Sequence, residues 1–180
     1  MPDCSKCGML TDLLILAPAA IVFVILFWLS RRRGAPKVLD AAKGSPKNAI
    51  IVDGSNVMHW GGEPSLDVVS HVLRSLEKAG YAPIVFFDAN VGYKVDERYY
   101  TEETLAPLIG VPFEHIVVVD SGVIADEMIL NCATDLKARI VTNDRFRDWR
   151  VKFPHAAKKR TLVRGKWRDG TVKWDRLLKV

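Results

Sequence analysis

Four aspartates, Asp53, Asp126, Asp144 and Asp148, each stand at or just beyond the end of an apolar run. Carboxylates delivered to one point repel strongly unless a divalent cation sits among them. No histidine or cysteine joins the set, and oxygen-only ligation selects Mg2+, with Mn2+ the alternative, over zinc. A cation held this way activates water and polarises a scissile phosphate, so hydrolysis of a phosphodiester is the natural reaction. Glu127 adjoins Asp126, and Asn56 and Asn143 stand beside Asp53 and Asp144 as polar groups that could shape the site. Taken singly, each has a plainer role. Asp126 suits a helix N-terminus, Asp53 and Asp88 suit turns, and Asp148 could pair with Arg145 or Arg147.

The elements that must position these residues are legible as apolar runs. Residues 48–52 (NAIIV) stop at Asp53-Gly54-Ser55-Asn56, and residues 139–142 (RIVT) stop at Asn143-Asp144. Residues 83–87 (PIVFF) end at Asp88, and residues 116–119 (IVVV) end at Asp120. Short continuous apolar runs bounded by turn residues predict buried parallel strands. Asp88 and Asp120 are assigned to loops or caps. Between the strands the pattern has helical period. Residues 65–79 put Leu66, Val69, Val72, Leu73 and Leu76 on one face, with Ser65 as N-cap and Gly80 as stop. A weaker helix spans 97–108, with Thr101 and Thr104 poor formers and Pro107 expected to end it. Residues 125–136 turn Met128, Ile129, Cys132 and Leu136 inward and place Asp126 and Glu127 in the first helical turn. Strand and helix alternating with short connections predict a doubly wound α/β layer.

Charge divides the chain. Residues 139–180 carry 14 Lys+Arg against 4 Asp+Glu, whereas the preceding residues carry 12 against 17, together giving the net charge of +5. Arg145, Arg147, Arg150, Lys152, Lys158, Lys159 and Arg160 follow closely on the Asp144–Asp148 stretch, with Trp149 among them. Cations neutralise phosphates and aromatic rings stack on bases, so a basic stripe beside a carboxylate cluster predicts a nucleic-acid substrate, single-stranded or in loops. The alternative partner for a short basic run is an anionic lipid surface.

The N-terminal part is of another kind. After a short tail at 1–12, residues 13–30 are almost wholly apolar, and Arg31-Arg32-Arg33 follow at once. Such a segment is long enough to cross most of a hydrocarbon core of about 30 Å. A cleaved signal peptide would carry its cations ahead of the apolar run instead. The expectation is one transmembrane helix, with the N-terminus outside the inner membrane and the rest cytoplasmic by the positive-inside rule. Residues 31–47 read as a basic linker of Gly, Pro, Ser and Lys, and residues 48–180 as one catalytic domain of ordinary size. Cys4 and Cys7 form a lone CxxC, weak for zinc without further ligands, and a disulfide or no role fits better. Cys132 reads as a small core hydrophobe. A homo-oligomer is left open.

Together these residues resemble a known family. Ile51-Val52-Asp53-Gly54-Ser55-Asn56-Val57, the Asp126-Glu127 pair opening a helix, and Val141-Thr142-Asn143-Asp144-Arg145-Phe146-Arg147-Asp148 are similar to the NYN domain of the PIN-like ribonucleases. The likeness is nearest to the Regnase (MCPIP) type, in a bacterial-style form without the zinc finger of the animal members. It covers residues 48–148 and extends to 166–178, which are similar to the segment that closes that domain. The resemblance implies a PIN-like, Rossmannoid three-layer fold with a parallel sheet flanked by helices. It also implies a Mg2+-dependent endoribonuclease. Asp53, Asp126, Asp144 and Asp148 would be its metal-binding carboxylates, and Asn56 and Asn143 its site-shaping groups. Glu127 stands where that branch has a second aspartate, which keeps the charge and adds a methylene of reach. Two other classes remain: a receiver-like Mg2+-binding regulatory domain, and a catalytically silent RNA-binding protein.

Overall fold

The computed structural model describes residues 48–155, 158–176 and 178. The apolar span at 13–30, the linker at 31–47, and Cys4 and Cys7 lie outside the described residues. Among the described residues no helix is long and apolar enough to cross a membrane.

Five parallel strands form the central sheet: β1 (Ala49–Asp53), β2 (Ala82–Phe87), β3 (Ile116–Val118), β4 (Arg139–Val141) and β5 (Leu162–Val163). Their order is β3-β2-β1-β4-β5. The runs are continuously apolar because both faces are covered. Ile50, Val52, Val85 and Phe87 pack into one core cluster, and Ile51, Ile84, Phe86 and Ile140 into the other. This is the expected three-layer α/β arrangement. The chain steps outward from β1 to β2 to β3 and then crosses back to β4 on the other side of β1. The order therefore reverses at β1, and the crevice of such a sheet opens beyond the C-terminal ends of the strands at that reversal. Asp53, the last residue of β1, sits there, in register with Phe86 of β2, while Val52 pairs with Val141 of β4. Asp88 and Thr142–Asp144 thus leave their strands at the same rim.

Helix α1 (Gly54–Val57) starts directly from β1, with Asp53 as its N-cap. Only glycine fits at 54: a Cβ there would lie 2.5 Å from the Phe87 ring and 2.9 Å from the Phe86 carbonyl oxygen. Helix α2 (Leu66–Lys78) buries Val68, Val69, Val72, Leu73 and Leu76. Ser65 occupies its N-cap position without a side-chain capping bond, and Gly80 follows at φ 85°.

The expected helix over 97–108 is two helices, α3 (Val91–Asp96) and α4 (Glu102–Ile109). Glu97, at φ 51°, turns left-handed and separates them. The two threonines that argue against helix by propensity instead start one. Thr101 accepts from the Thr104 backbone N–H and Thr104 Oγ1 accepts from the Thr101 N–H, a reciprocal cap. Pro107 lies inside α4, which ends only at Gly110. The short 3-10 turn Phe113–His115 leads into β3.

Helix α5 (Ala125–Asp135) carries Asp126 and Glu127 in its first turn, as expected. Its buried face is Ile129, Leu130, Cys132 and Ala133, with Met128 and Leu136 only half-buried. Burial pushes the Cys132 thiol up to about 12, with the Asp135 charge adding to the shift. Strand β5 and the antiparallel hairpin of β6 (Gly165–Arg168) and β7 (Thr171–Trp174) were not legible as apolar runs. The hairpin packs on the α1–α2 side: Trp174 meets Trp60 edge-on at 5.9 Å, and Trp167 meets His71 at 5.0 Å.

Candidate active site

Asp53 is the centre of the rim and is 7% exposed. Its Oδ1 accepts from the Asn56 backbone N–H at 3.0 Å, the capping bond of α1. Its Oδ2 accepts from the buried Thr142 hydroxyl at 2.8 Å. The Thr142 Oγ1 in turn accepts from the Asp144 N–H at 3.0 Å, so one hydroxyl orients two carboxylate-bearing residues. Asp144 Oδ1 accepts from the Phe146 N–H at 2.6 Å, a tight turn that plants Phe146 in the core at φ 44°.

Asn56 and Asn143 join the two loops. Asn56 Oδ1 accepts from the Asn143 N–H at 2.9 Å and from Trp60 Nε1 at 3.1 Å. Asn143 Nδ2 donates to the Gly165 carbonyl at 2.9 Å, which ties the rim to hairpin β6–β7. Gly165 must lack a side chain, because a Cβ there would stand 2.7 Å from the Trp60 ring. Ser55 binds the other flank, its Oγ accepting from the Asp88 N–H at 2.9 Å.

The electrostatics show which carboxylates face one another. Asp53 is pushed up to about 6, first by burial and then by the charges of Asp126 and Asp88, against the bonds from Thr142 and Asn56. Asp126 is raised by burial, by the charge of Asp144 and, less, by that of Asp88, while a hydrogen bond involving Trp149 opposes the shift. Asp53, Asp88, Asp126 and Asp144 therefore share one field. Asp88 is the member that sequence reasoning left as a loop residue. Its signal was present, since it follows directly on β2, and it also pairs with Lys94 at 3.6 Å. Thr142 and Ser55 were likewise unassigned, and Trp149, expected among the basic residues as a base-stacking ring, instead bonds Asp126.

The remaining residues divide by position. Glu127 is engaged by the Lys152 ammonium, whose charge also lies 5.7 Å from the Trp149 ring centre. Asp148 is exposed in the turn after Phe146, beside exposed Arg145, Arg147 and Arg150, and is not among the charges acting on Asp53 or Asp126. Lys158, Lys159 and Arg160 precede β5, which runs parallel to β4, and so lie toward the strand starts. That is the rim away from the carboxylates.

Among the described residues no three acidic, histidine or cysteine side chains stand close enough to hold an ion as they are placed. The chemistry of the donors nonetheless fits a hard divalent cation. They are all oxygens, mutually repelling, and each bonded oxygen keeps a lone pair.

Residues 46–175 match the model of the Zc3h12a-like ribonuclease NYN domain. The chain belongs to this family. The family is one of ribonuclease domains, of a kind that generally uses divalent metals. The chain's fold is similar to two structures of the nuclear protein-only RNase P 2 of Arabidopsis thaliana, both at a TM-score of 0.62. Identity is 21% over 89% of this chain and 36% of that one, and 22% over 86% and 35% in the second structure. The chain thus spans little more than a third of those proteins. No curated protein matches.

Proposed function

We propose that this NYN domain cuts RNA with Mg2+ held by Asp53, Asp126 and Asp144, with Asp88 adding charge and Asp148 reaching in from the outer turn. The observation that carries the reading is a carboxylate buried at the sheet's C-terminal rim, Asp53, raised to about 6 chiefly by burial and further by the charges of Asp126 and Asp88, and tied through Thr142 to the Asp144 loop. A fold keeps such an arrangement where a cation is to be bound. The bound cation would supply an activated water and charge stabilisation at the phosphate. The chain's own groups prepare for this. Thr142 and the Asn56 backbone fix the Asp53 carboxylate, Asn56 fixes the loop that carries Asp144, and Trp149 steadies Asp126. Arg145, Arg147 and Arg150, exposed next to Asp144, neutralise backbone phosphates of a bound strand. Lys152, paired with Glu127, anchors the same flank.

The domain is held at the inner membrane by residues 13–30 through the linker at 31–47, facing the cytoplasm. The reading rests on the apolar length and the three following arginines. Incubating the full chain with single-stranded and structured RNA, with Mg2+ or with chelator, tests the activity. Metal-dependent cleavage lost in Asp53→Asn and Asp144→Asn is expected. Binding without cleavage in the wild type would leave a silent RNA-binding protein instead.

A further inference from the structure

A second charged site lies away from the carboxylates. A cavity of about 350 Å3 opens along β5, the edge strand of the sheet, and is walled on its other side by the segment after β7. Its charged lining is Arg139, Lys159, Arg160, Arg164, Arg176 and Asp175, five cations against one carboxylate. Leu162 and Val163 of β5 also line it. None of Asp53, Asp88, Asp126 and Asp144 lines it. Arg139 is oriented by Tyr81, donating to its hydroxyl and stacking 5.1 Å from its ring centre. Arg164 leaves β5 with its carbonyl tied to the Asp175 N–H at 3.0 Å. Its Nε is buried and has no hydrogen-bond partner among the described residues. A buried guanidinium donor without an acceptor is costly and is ordinarily satisfied by whatever fills the space beside it.

We infer that this cavity is a binding site for a terminal phosphate, carried by a free nucleotide or by the end of an RNA chain. Its volume is in the small-ligand class of about 300–1,000 Å3 and not that of an open strand-binding groove. An excess of cations, most of them arginines, exceeds what one carboxylate ligand neutralises and suits a multiply charged phosphate read by bidentate forks. The site acts on phosphate whether or not the domain cuts RNA. Only the RNA-end form of the proposal rests on the ribonuclease reading.

The test is calorimetric titration of the full chain in detergent with excess chelator, so that no cation at the carboxylate rim can recruit a phosphate. The probes are ATP, a 5′-monophosphorylated oligoribonucleotide and its 5′-hydroxyl counterpart. Saturable binding of ATP or of the phosphorylated RNA is expected, weakened at least about tenfold by Arg176→Gln and by Arg164→Gln. Asp53→Asn should leave it intact, which separates this site from the cutting centre. Arg176 is exposed, so its substitution keeps the test meaningful if Arg164→Gln misfolds. ATP binding identifies a free nucleotide as the source, and binding confined to phosphorylated RNA identifies an RNA end. Absence of saturable binding, equal binding of the 5′-hydroxyl RNA, or no loss in Arg176→Gln would each overturn the proposal.

Discussion

The Asn143 backbone N–H donates to Asn56 Oδ1 at 2.9 Å, bridging 87 residues of sequence and locking the loop after β4 to the helix that β1 launches. The same oxygen accepts from Trp60 Nε1, so one side-chain amide holds Asp53's helix, Asp144's loop and the aromatic pack under the hairpin. Asn56→Ala should cost about 1–3 kcal/mol, because it strands two donors. It should lower kcat by about tenfold or more through misplaced carboxylates. Trp60→Phe removes one donor and should do less on both counts. Chemical denaturation beside single-turnover cleavage checks the ordering.

Thr142 is the buried hinge between two acids, donating to Asp53 and accepting from the Asp144 N–H. Thr142→Val keeps the shape and deletes both bonds. Its donated bond holds the Asp53 carboxyl down, so its loss should raise Asp53 further above about 6. Thr142→Ser should restore the wild-type value. Carboxyl-carbon NMR titration of the metal-free protein reads this directly, and an unchanged titration in the valine variant would remove Thr142 from the account.

The elevated Asp53 has a stability consequence. Its folded value of about 6 exceeds the ordinary 3.8, so its contribution to stability is fully present below about 3.8 and lost as pH rises through about 6. The loss at neutral pH is on the order of 2–3 kcal/mol for the metal-free protein. Asp53→Asn, which carries no charge, should therefore melt roughly 5 °C higher than wild type at pH 8 in chelator, with the gap closing at pH 4. A variant less stable than wild type at pH 8 would mean that burial does not dominate at this site.

What the sequence disclosed follows from period and strand ends. The buried strands, α2 and α5 each advertise a single face or a continuous apolar run. Asp53, Asp126 and Asp144 stand where those runs stop. Asp88 follows directly on β2 and was passed over, because an aspartate just after a strand is also an ordinary turn residue until the register brings the end of β2 beside Asp53. Thr142 was invisible as a hinge since its partners are 89 and 2 residues away. The break between α3 and α4 was hidden by single-residue propensities: Thr101 and Thr104 disfavour a helix interior yet together cap one. Strand β5 has only two residues and no pattern of its own, and it exists because β4 offers an edge to pair with.

Glu127 and Asp126 are adjacent in sequence but differ in surroundings. Asp126 faces the acidic rim, whereas Glu127 is held by Lys152 on an exposed flank. Asp126→Asn should reduce cleavage by about a hundredfold or more, while Glu127→Gln should change it only a few-fold, since exposed pairs contribute about 1 kcal/mol or less. Equal losses in the two variants, measured under single-turnover conditions, would place Glu127 in the site.

If the carboxylates around Asp53 gather on a divalent cation, the protein takes up Mn2+, and the loss of the free ion's electron paramagnetic resonance signal reads that uptake. Binding to the full chain should be saturable and should fall at least about tenfold in Asp53→Asn and in Asp144→Asn. Binding of equal strength in the wild type and in both variants would contradict such a site.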